Sequence, residues 1–286
     1  MTNYSYIVTG DGSVTLYSDE FSEHYHSITG AYQEALYKFA LASNIFQMAK
    51  LHPVKVLDIC FGLGYNSFVT IEHSKNTYPI EIHAIEKDES VIQKAISLNY
   101  PHKHWNKHLN ELYTHRYSAF KDANIKLHIG DARTILQNIN EYFNVIYLDP
   151  FSTKKNTELW TYDFFKLLKS KTLSNGVLVT YSSALPVRSG LLKSYNYIYE
   201  SDPIGRRRGG TIASIEHLPD KKPISEQDYY LLTHSDGKIP YRDPKLNSTS
   251  SLILARRDKI VKYLLKKGRI IKVKKCFKHM KINKIS

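Results

Sequence analysis

Short runs rich in β-branched residues alternate along this chain with segments whose apolar positions recur every three or four residues. The first pattern predicts strands over residues 54–60, 80–85, 125–129, 144–148 and 177–181. The second predicts helices over 66–73, 88–98, 133–142 and 161–171. A further stretch of helical spacing covers 25–48, interrupted only near Gly30. Strand and helix take turns through short connections. Such an alternation predicts an α/β fold: a mostly parallel sheet with helices on both faces. Residues 100–126 break the rhythm and read as a solvated insertion. A chain of 286 residues can bury one substantial core. The expected division is an N-terminal extension (1–50) packing on one main domain (51–257, insertion at about 100–124), then a basic tail (258–286).

In parallel sheets of this kind, ligands bind beyond the carboxyl ends of the strands. Four of the predicted strand ends carry acids: Asp58, Glu86, the pair Asp131-Ala132, and Asp149. The first is followed by Cys60-Phe61-Gly62-Leu63-Gly64-Tyr65-Asn66, a turn that leaves a strand and enters a helix. Two glycines spaced by one residue let the backbone pass close beneath a bound nucleoside, where a side chain would block the approach. Glu86 lies roughly 20 residues past the turn, where a carboxylate accepts both ribose hydroxyls. A dinucleotide would need a third glycine and an uncluttered helix N-terminus. Here Tyr65 and Asn66 fill that space, and Asp58 repels a pyrophosphate.

The acidic, narrow turn is similar to the cofactor turn of class I S-adenosylmethionine (SAM) methyltransferases. That likeness implies a Rossmann-like, mostly parallel seven-stranded sheet with helices on both faces. It implies Asp58 as partner of the SAM ammonium end, with Gly62, Gly64 and Asn66 in the turn. Glu86 then holds the ribose, while Asp131 and the backbone N–H of Ala132 border the adenine. Asp149-Pro150-Phe151-Ser152 ends the fourth strand, where such enzymes face the methyl acceptor. A carboxylate there can accept a hydrogen bond from an amine and orient its lone pair.

Composition narrows the classes further. No apolar run approaches the roughly 20 residues of a membrane helix, and Met1-Thr2-Asn3-Tyr4 opens no signal peptide. Two cysteines, Cys60 and Cys276, support neither a disulfide framework nor a cysteine zinc site, so a reducing cytoplasm is the simplest setting. His102, His104, His108 and His115 follow no tetrahedral spacing, and no metal is expected. Trp105, Tyr113 and Tyr117 in the same insertion suit base stacking at a substrate entrance. The net charge of +13 is concentrated at one end: 13 of the 40 Lys and Arg but one of the 27 acids lie in 256–286. Such a block attracts polyanions, most simply RNA, by counterion release. Apolar residues between the charges, from Ile260 and Val261 to Phe277, predict a short helix and strand rather than a solvated thread.

The run Asp149-Pro150-Phe151-Ser152-Thr153-Lys154-Lys155-Asn156-Thr157-Glu158-Leu159-Trp160-Thr161 resembles the D-x-F-[AS]-P-x-x-x-P-x-x-W-[ST] loop of one family. That family is the MnmC-type methyltransferases of tRNA 5-methylaminomethyl-2-thiouridine biosynthesis. Residues 11–17 and 25–34 resemble its N-terminal signature; 205–214 and 239–257 resemble later ones. The likeness runs from about residue 8 to 257. Thr153 and Thr157 stand where the family's loop usually has prolines, and the tail beyond 257 has no clear counterpart.

The resemblance implies methyl transfer from SAM to the aminomethyl nitrogen of a wobble uridine in the tRNA anticodon region, with Asp149 at the acceptor amine. It implies Tyr25, Glu34, Phe151, Asn156 and Trp160 around the substrate, and Arg206, Arg207 and Arg208, with Arg188, at tRNA phosphates. Bifunctional members carry an FAD-dependent oxidase; no second glycine-rich turn occurs here, so no FAD is expected. Two other readings fit the turn: an aminopropyltransferase of the polyamine synthase type, and a non-catalytic RNA-binding protein with a SAM-like pocket. The basic surplus argues against a polyamine site. Nothing in the sequence specifies an oligomeric state, and a monomer is the simplest.

Overall fold

The computed structural model describes residues 4–100, 102–203 and 208–274. The chain opens with a small antiparallel sheet, β1 (Tyr4–Val8), β2 (Val14–Ser18) and β3 (Glu23–His24). The helical region that follows begins only at α1 (Ala31–Ala35). It continues through a π-helical turn (Leu36–Leu41) into α2 (Ile45–Ala49). The helix expected over 25–48 is therefore shorter and broken. Residues 25–30 connect β3 to α1, and Asn44 takes a left-handed φ of 62° that divides the helical stretch, a conformation Asn tolerates.

The main sheet runs β10–β11–β9–β8–β4–β5–β7–β6. Its centre is parallel: β4 (Val54–Ile59), β5 (Ile80–Glu86), β7 (Ala123–Ile129), β8 (Phe143–Leu148) and β9 (Thr172–Thr180). β11 (Thr211–Ser214) is antiparallel to both β9 and β10 (Tyr197–Glu200). The sheet has eight strands among the described residues instead of the expected seven, because β6 (Tyr117–Ala119) adds an antiparallel edge to β7. From β4 the chain builds outward through β5 and β7, then returns to place β8 on the other side of β4. That reversal leaves a crevice at the carboxyl ends of β4 and β8.

Alternation along each strand feeds two apolar layers. Val54, Val56, Ile82, Val145 and Tyr147 pack with α1, α2, α3 (Tyr65–His73), α4 (Glu89–Ile96) and α5 (His104–His115). Leu57, Ile59, Ile146, Leu148 and Leu178 pack with α6 (Ala132–Asn138), α7 (Tyr162–Lys171) and α8 (Leu185–Ser194). Burial on both faces explains the near-continuous apolar strand sequences.

The insertion is not a solvated loop. Its longest element is α5, whose Trp105 is fully buried, stacks on Phe68 at 5.0 Å and donates Nε1–H to Glu72 Oε1 at 2.7 Å. Trp105 thus serves the core and not a substrate entrance; its apolar neighbours Leu109 and Leu112 lie one and two turns along the same face. After α9 (Glu226–His234), the chain reaches α10 (Ser250–Lys266), which crosses the expected boundary at 257. Beyond it, Ile270 is buried and Ile271 pairs in a short parallel bridge with Ser235. The described part of the tail folds back as a helix and a bridge.

Candidate functional site

A cleft of about 1010 Å³ opens where the carboxyl ends of β4, β5, β7 and β8 meet. Its floor is the glycine turn. Gly62 and Gly64 have φ of +54° and +84°, which L side chains rarely adopt. A Cβ on Gly62 would also sit 3.2 Å from the Tyr25 ring, so the N-terminal segment closes directly over the turn. The cleft is lined by Tyr25, Glu34, Gly62, Glu86, Asp131, Ala132, Asp149, Phe151 and Asn156 among the residues expected from the sequence.

The acids differ in their surroundings. Glu86 accepts backbone N–H groups from Gly62 (2.9 Å, Oε2) and from Lys87 and Asp88 (2.8 and 2.9 Å, both Oε1). Burial raises its pKa, while these three donors favour the carboxylate. One acceptor position on Oε2 remains open to a ligand. Asp58 is fully buried beneath the turn; Oδ2 accepts from Ser67 Oγ at 2.6 Å, and Oδ1 has no partner among the described residues. Burial lifts its pKa to about 7. Asp131 caps α6 through the Arg133 N–H (2.9 Å), and its carboxylate also holds the Arg133 guanidinium. Burial opposes ionisation there, but the bonds from Arg133 hold the pKa below the usual value.

Asp149 follows β8, largely buried at the wall of the cleft, and accepts Asn66 Nδ2–H at 3.0 Å. Asn66, expected in the turn, is thus directed at Asp149 from the first turn of α3. Desolvation pushes the Asp149 carboxyl well above the usual range, and the negative charge of Glu34 adds to the rise. Glu34 is itself held by the Ser27 N–H (2.7 Å) and the buried Lys38 ammonium (2.6 Å). Burial acts to raise its pKa; Lys38 outweighs it and keeps the group below its ordinary value.

The loop after Asp149 is held at several points. Phe151 N–H donates to Asn156 Oδ1 (3.1 Å), Trp160 Nε1–H to the Phe151 carbonyl (2.8 Å), and Tyr181 O–H to the Pro150 carbonyl (2.9 Å). Glu23 of β3 accepts both the N–H and O–H of Ser152. Where prolines were expected, Thr157 Oγ1–H donates to the Thr153 carbonyl at 2.7 Å and the Thr157 N–H donates to Ser250. Hydrogen bonds thus replace the stiffness that proline rings would give. Phe151 projects into the cleft against Phe21 and Tyr25.

Other expectations change. Trp160 is fully buried and clamps the loop from behind rather than lining the cleft. Arg188 has no exposed side chain: it bonds Asp228, Thr211 and the Gly210 carbonyl, so it cannot meet a phosphate. Arg208 is partly exposed but paired with the same Asp228, away from the lining of the cleft. Arg206 and Arg207 lie outside the described residues. Lys38, Glu23, Tyr181 and Arg133 were not singled out from sequence. Only Lys38 carried a local signal, its i, i+4 spacing from Glu34.

Known proteins resemble this arrangement. A family model described as S-adenosyl-L-methionine-dependent methyltransferase matches residues 93–216. An uncharacterised protein of Methanocaldococcus jannaschii is 35% identical over 285 residues, covering 95% of this chain and 78% of that protein. The tRNA 5-methylaminomethyl-2-thiouridine biosynthesis bifunctional protein MnmC of Leptospira interrogans is 24% identical over 253 residues. That match covers 78% of this chain and only 38% of the bifunctional protein. The crystal structure of MNMC2 from Aquifex aeolicus aligns with a TM-score of 0.79 at 33% identity, covering 90% of this chain and 84% of that one. At that identity and coverage the chain belongs to the MnmC-type family of SAM-dependent methyltransferase domains.

Proposed function

We propose that this protein methylates the exocyclic amine of 5-aminomethyl-(2-thio)uridine at the tRNA wobble position, giving the 5-methylaminomethyl form. The observation that carries the reading is Asp149: a carboxyl with raised proton affinity, aimed by Asn66 into the same cleft as the glycine turn. The residues fit SAM on physical grounds. The turn leaves no room for side chains, Glu86 keeps one acceptor position, and the orphaned Oδ1 of Asp58 lacks a cationic or N–H partner. Asp58, Gly62, Gly64, Glu86, Asp131 and Ala132 would hold the cofactor, with Asn66 shared between turn and acceptor. SAM supplies an electrophilic methyl group on a sulfonium.

The chain's own part is to present a neutral amine. An aminomethyl group arrives as an ammonium, whose nitrogen has no free lone pair. Asp149, its pKa raised by burial, accepts that proton and keeps the nitrogen aligned by a hydrogen bond. The freed lone pair would take the methyl group as its bond to the sulfonium sulfur breaks, leaving a neutral thioether, and alignment of the amine by this chain would contribute most of the rate. Tyr25, Phe151 and Glu34 form the acceptor wall, while Trp160 and Asn156 fix the loop that carries it. In domain terms, residues 1–50 would close the acceptor side of the methyltransferase unit (51–257), and 258–286 would serve RNA.

Purified protein with SAM should convert 5-aminomethyl-2-thiouridine in tRNA to its methylaminomethyl form, read by nucleoside mass spectrometry. Asp149→Asn should lower kcat/KM by about 10²- to 10⁴-fold with SAM affinity by calorimetry little changed. Full activity in that variant would remove Asp149 from the mechanism. An inactive wild-type enzyme would remove the substrate assignment.

A further inference from the structure

The exposed face of α10 starts at the rim of the cleft and carries cations that pair with no carboxylate among the described residues. Ser250, the first residue of the helix, accepts the Thr157 N–H at 3.0 Å and lies within hydrogen-bond reach of the Lys155 carbonyl (3.1 Å) and the Glu158 carboxylate. Lys155 and Glu158 both line the cleft. The inner face of the helix is anchored by buried Ile253 and Val261 and by Arg257, whose guanidinium donates to the carbonyls of Ile239 and Asp236, both at 2.7 Å.

The outer face has a different character. Lys259, Lys262 and Lys266 recur at i, i+3 and i+7 and therefore share one side of the helix. All three are exposed, and none pairs with a carboxylate among the described residues. Between them stands Tyr263, 54% exposed, while Lys154 is exposed on the cleft-side loop beyond the helix start. Lys55, Lys107 and Lys126 are paired with glutamates, whereas Lys50, Lys75 and Lys94 are exposed singly; α10 differs in bringing three lysines to one helix side beside an exposed tyrosine. An unpaired row of ammonium groups costs self-repulsion, which a polyanion relieves through counterion release. The interleaved aromatic suits RNA, offering a face to an unstacked base.

Resting on the proposed tRNA reading, we infer that Lys259, Lys262, Tyr263 and Lys266 of α10 form the docking surface for the RNA backbone flanking the nucleotide in the cleft. Because α10 is hydrogen-bonded to residues 155–158, phosphates held on it are positioned relative to Asp149 through that loop. The surface acts on binding and not on the chemical step.

The test uses full-length protein carrying Lys259→Glu, Lys262→Glu and Lys266→Glu together. All three positions are exposed, so the fold is unaffected; an unchanged melting temperature checks this. The expected result is a rise of about tenfold or more in KM for tRNA, with kcat and SAM affinity within twofold. The slope of log affinity against log salt should fall by roughly two to three. A milder variant, Tyr263→Ala, should raise the tRNA KM by about threefold or more. An unchanged tRNA KM and salt slope in the triple variant would overturn the inference. So would binding by the wild type to anionic vesicles but not to tRNA. If the wild type transfers no methyl group to tRNA, filter binding of tRNA decides separately. Salt-sensitive binding lost in the triple variant would uphold the surface while the substrate reading falls.

Discussion

Asp58 offers the sharpest physical test, because its burial should be visible in the stability of the protein without any ligand. Its carboxyl is fully buried, Ser67 satisfies one oxygen, and the other has no partner among the described residues. Burial raises the pKa from 3.8 to about 7, so the folded state binds this proton more tightly than the unfolded chain does. Below pH 3.8 the group is protonated in both states and costs nothing. As pH rises towards 7 the unfolded chain ionises first, and stability is lost progressively. Above pH 7 the loss levels off at roughly 4 kcal/mol, an order-of-magnitude figure at 1.36 kcal/mol per pKa unit. Asp58→Asn removes the titration while retaining the shape and a hydrogen-bonding group for Ser67. Urea unfolding of both proteins from pH 4 to 8, without SAM, should show the variant gaining relative to the wild type by several kcal/mol across that window. Glu86 and Asp149 also have raised pKa values and repel the Asp58 charge, so the difference reads the titration of Asp58 together with that repulsion. A difference that stays flat with pH would refute the buried, ionisable picture of Asp58. In the proposed function the same variant should bind SAM about 10- to 100-fold more weakly, since a charged hydrogen bond contributes about 1.5–3 kcal/mol. Stability and ligand affinity should thus move in opposite directions.

Two further outcomes follow from the loops. Gly64→Ala would place a Cβ 2.5 Å from the Phe68 ring and 2.8 Å from Phe61 at a φ of +84°; it should destabilise the protein by about 2–4 kcal/mol in urea melts, and a loss near zero would contradict the turn geometry. Trp160→Phe removes the donor to the Phe151 carbonyl; the acceptor KM should rise several-fold with SAM affinity within twofold, whereas an unchanged KM would mean that this clamp does not position the loop.

The alternation of apolar runs determined the parallel core and its strand ends, because a strand buried on both faces must be apolar throughout wherever it sits. Asp58, Glu86, Asp131 and Asp149 were legible for the same reason: each stands at or just past the carboxyl end of such a run. The short strands β6, β10 and β11 were not, since three or four residues at or near an edge carry little periodicity. Burial of single polar or aromatic residues was also hidden. Trp105 and Arg188 read as surface contacts until packing enclosed one against Phe68 and gave the other Asp228.

The internal arrangement of the cleft came only from the tertiary structure. Ser152 meets Glu23 across 129 positions, and Arg133 meets Asp243 across 110. Asn66 turned out to face Asp149, 83 positions away. No local pattern encodes such pairs, because they depend on which strand the chain places beside which. The sequence by itself determined the kind of site, a cleft at the carboxyl ends of a parallel sheet, and a basic segment at the end of the chain. Only folding decided which carboxyl faces the cleft with a raised proton affinity, and where α10 starts its row of lysines. Desolvation and long-range hydrogen bonding, unlike apolar periodicity, exist only once distant segments have been brought together.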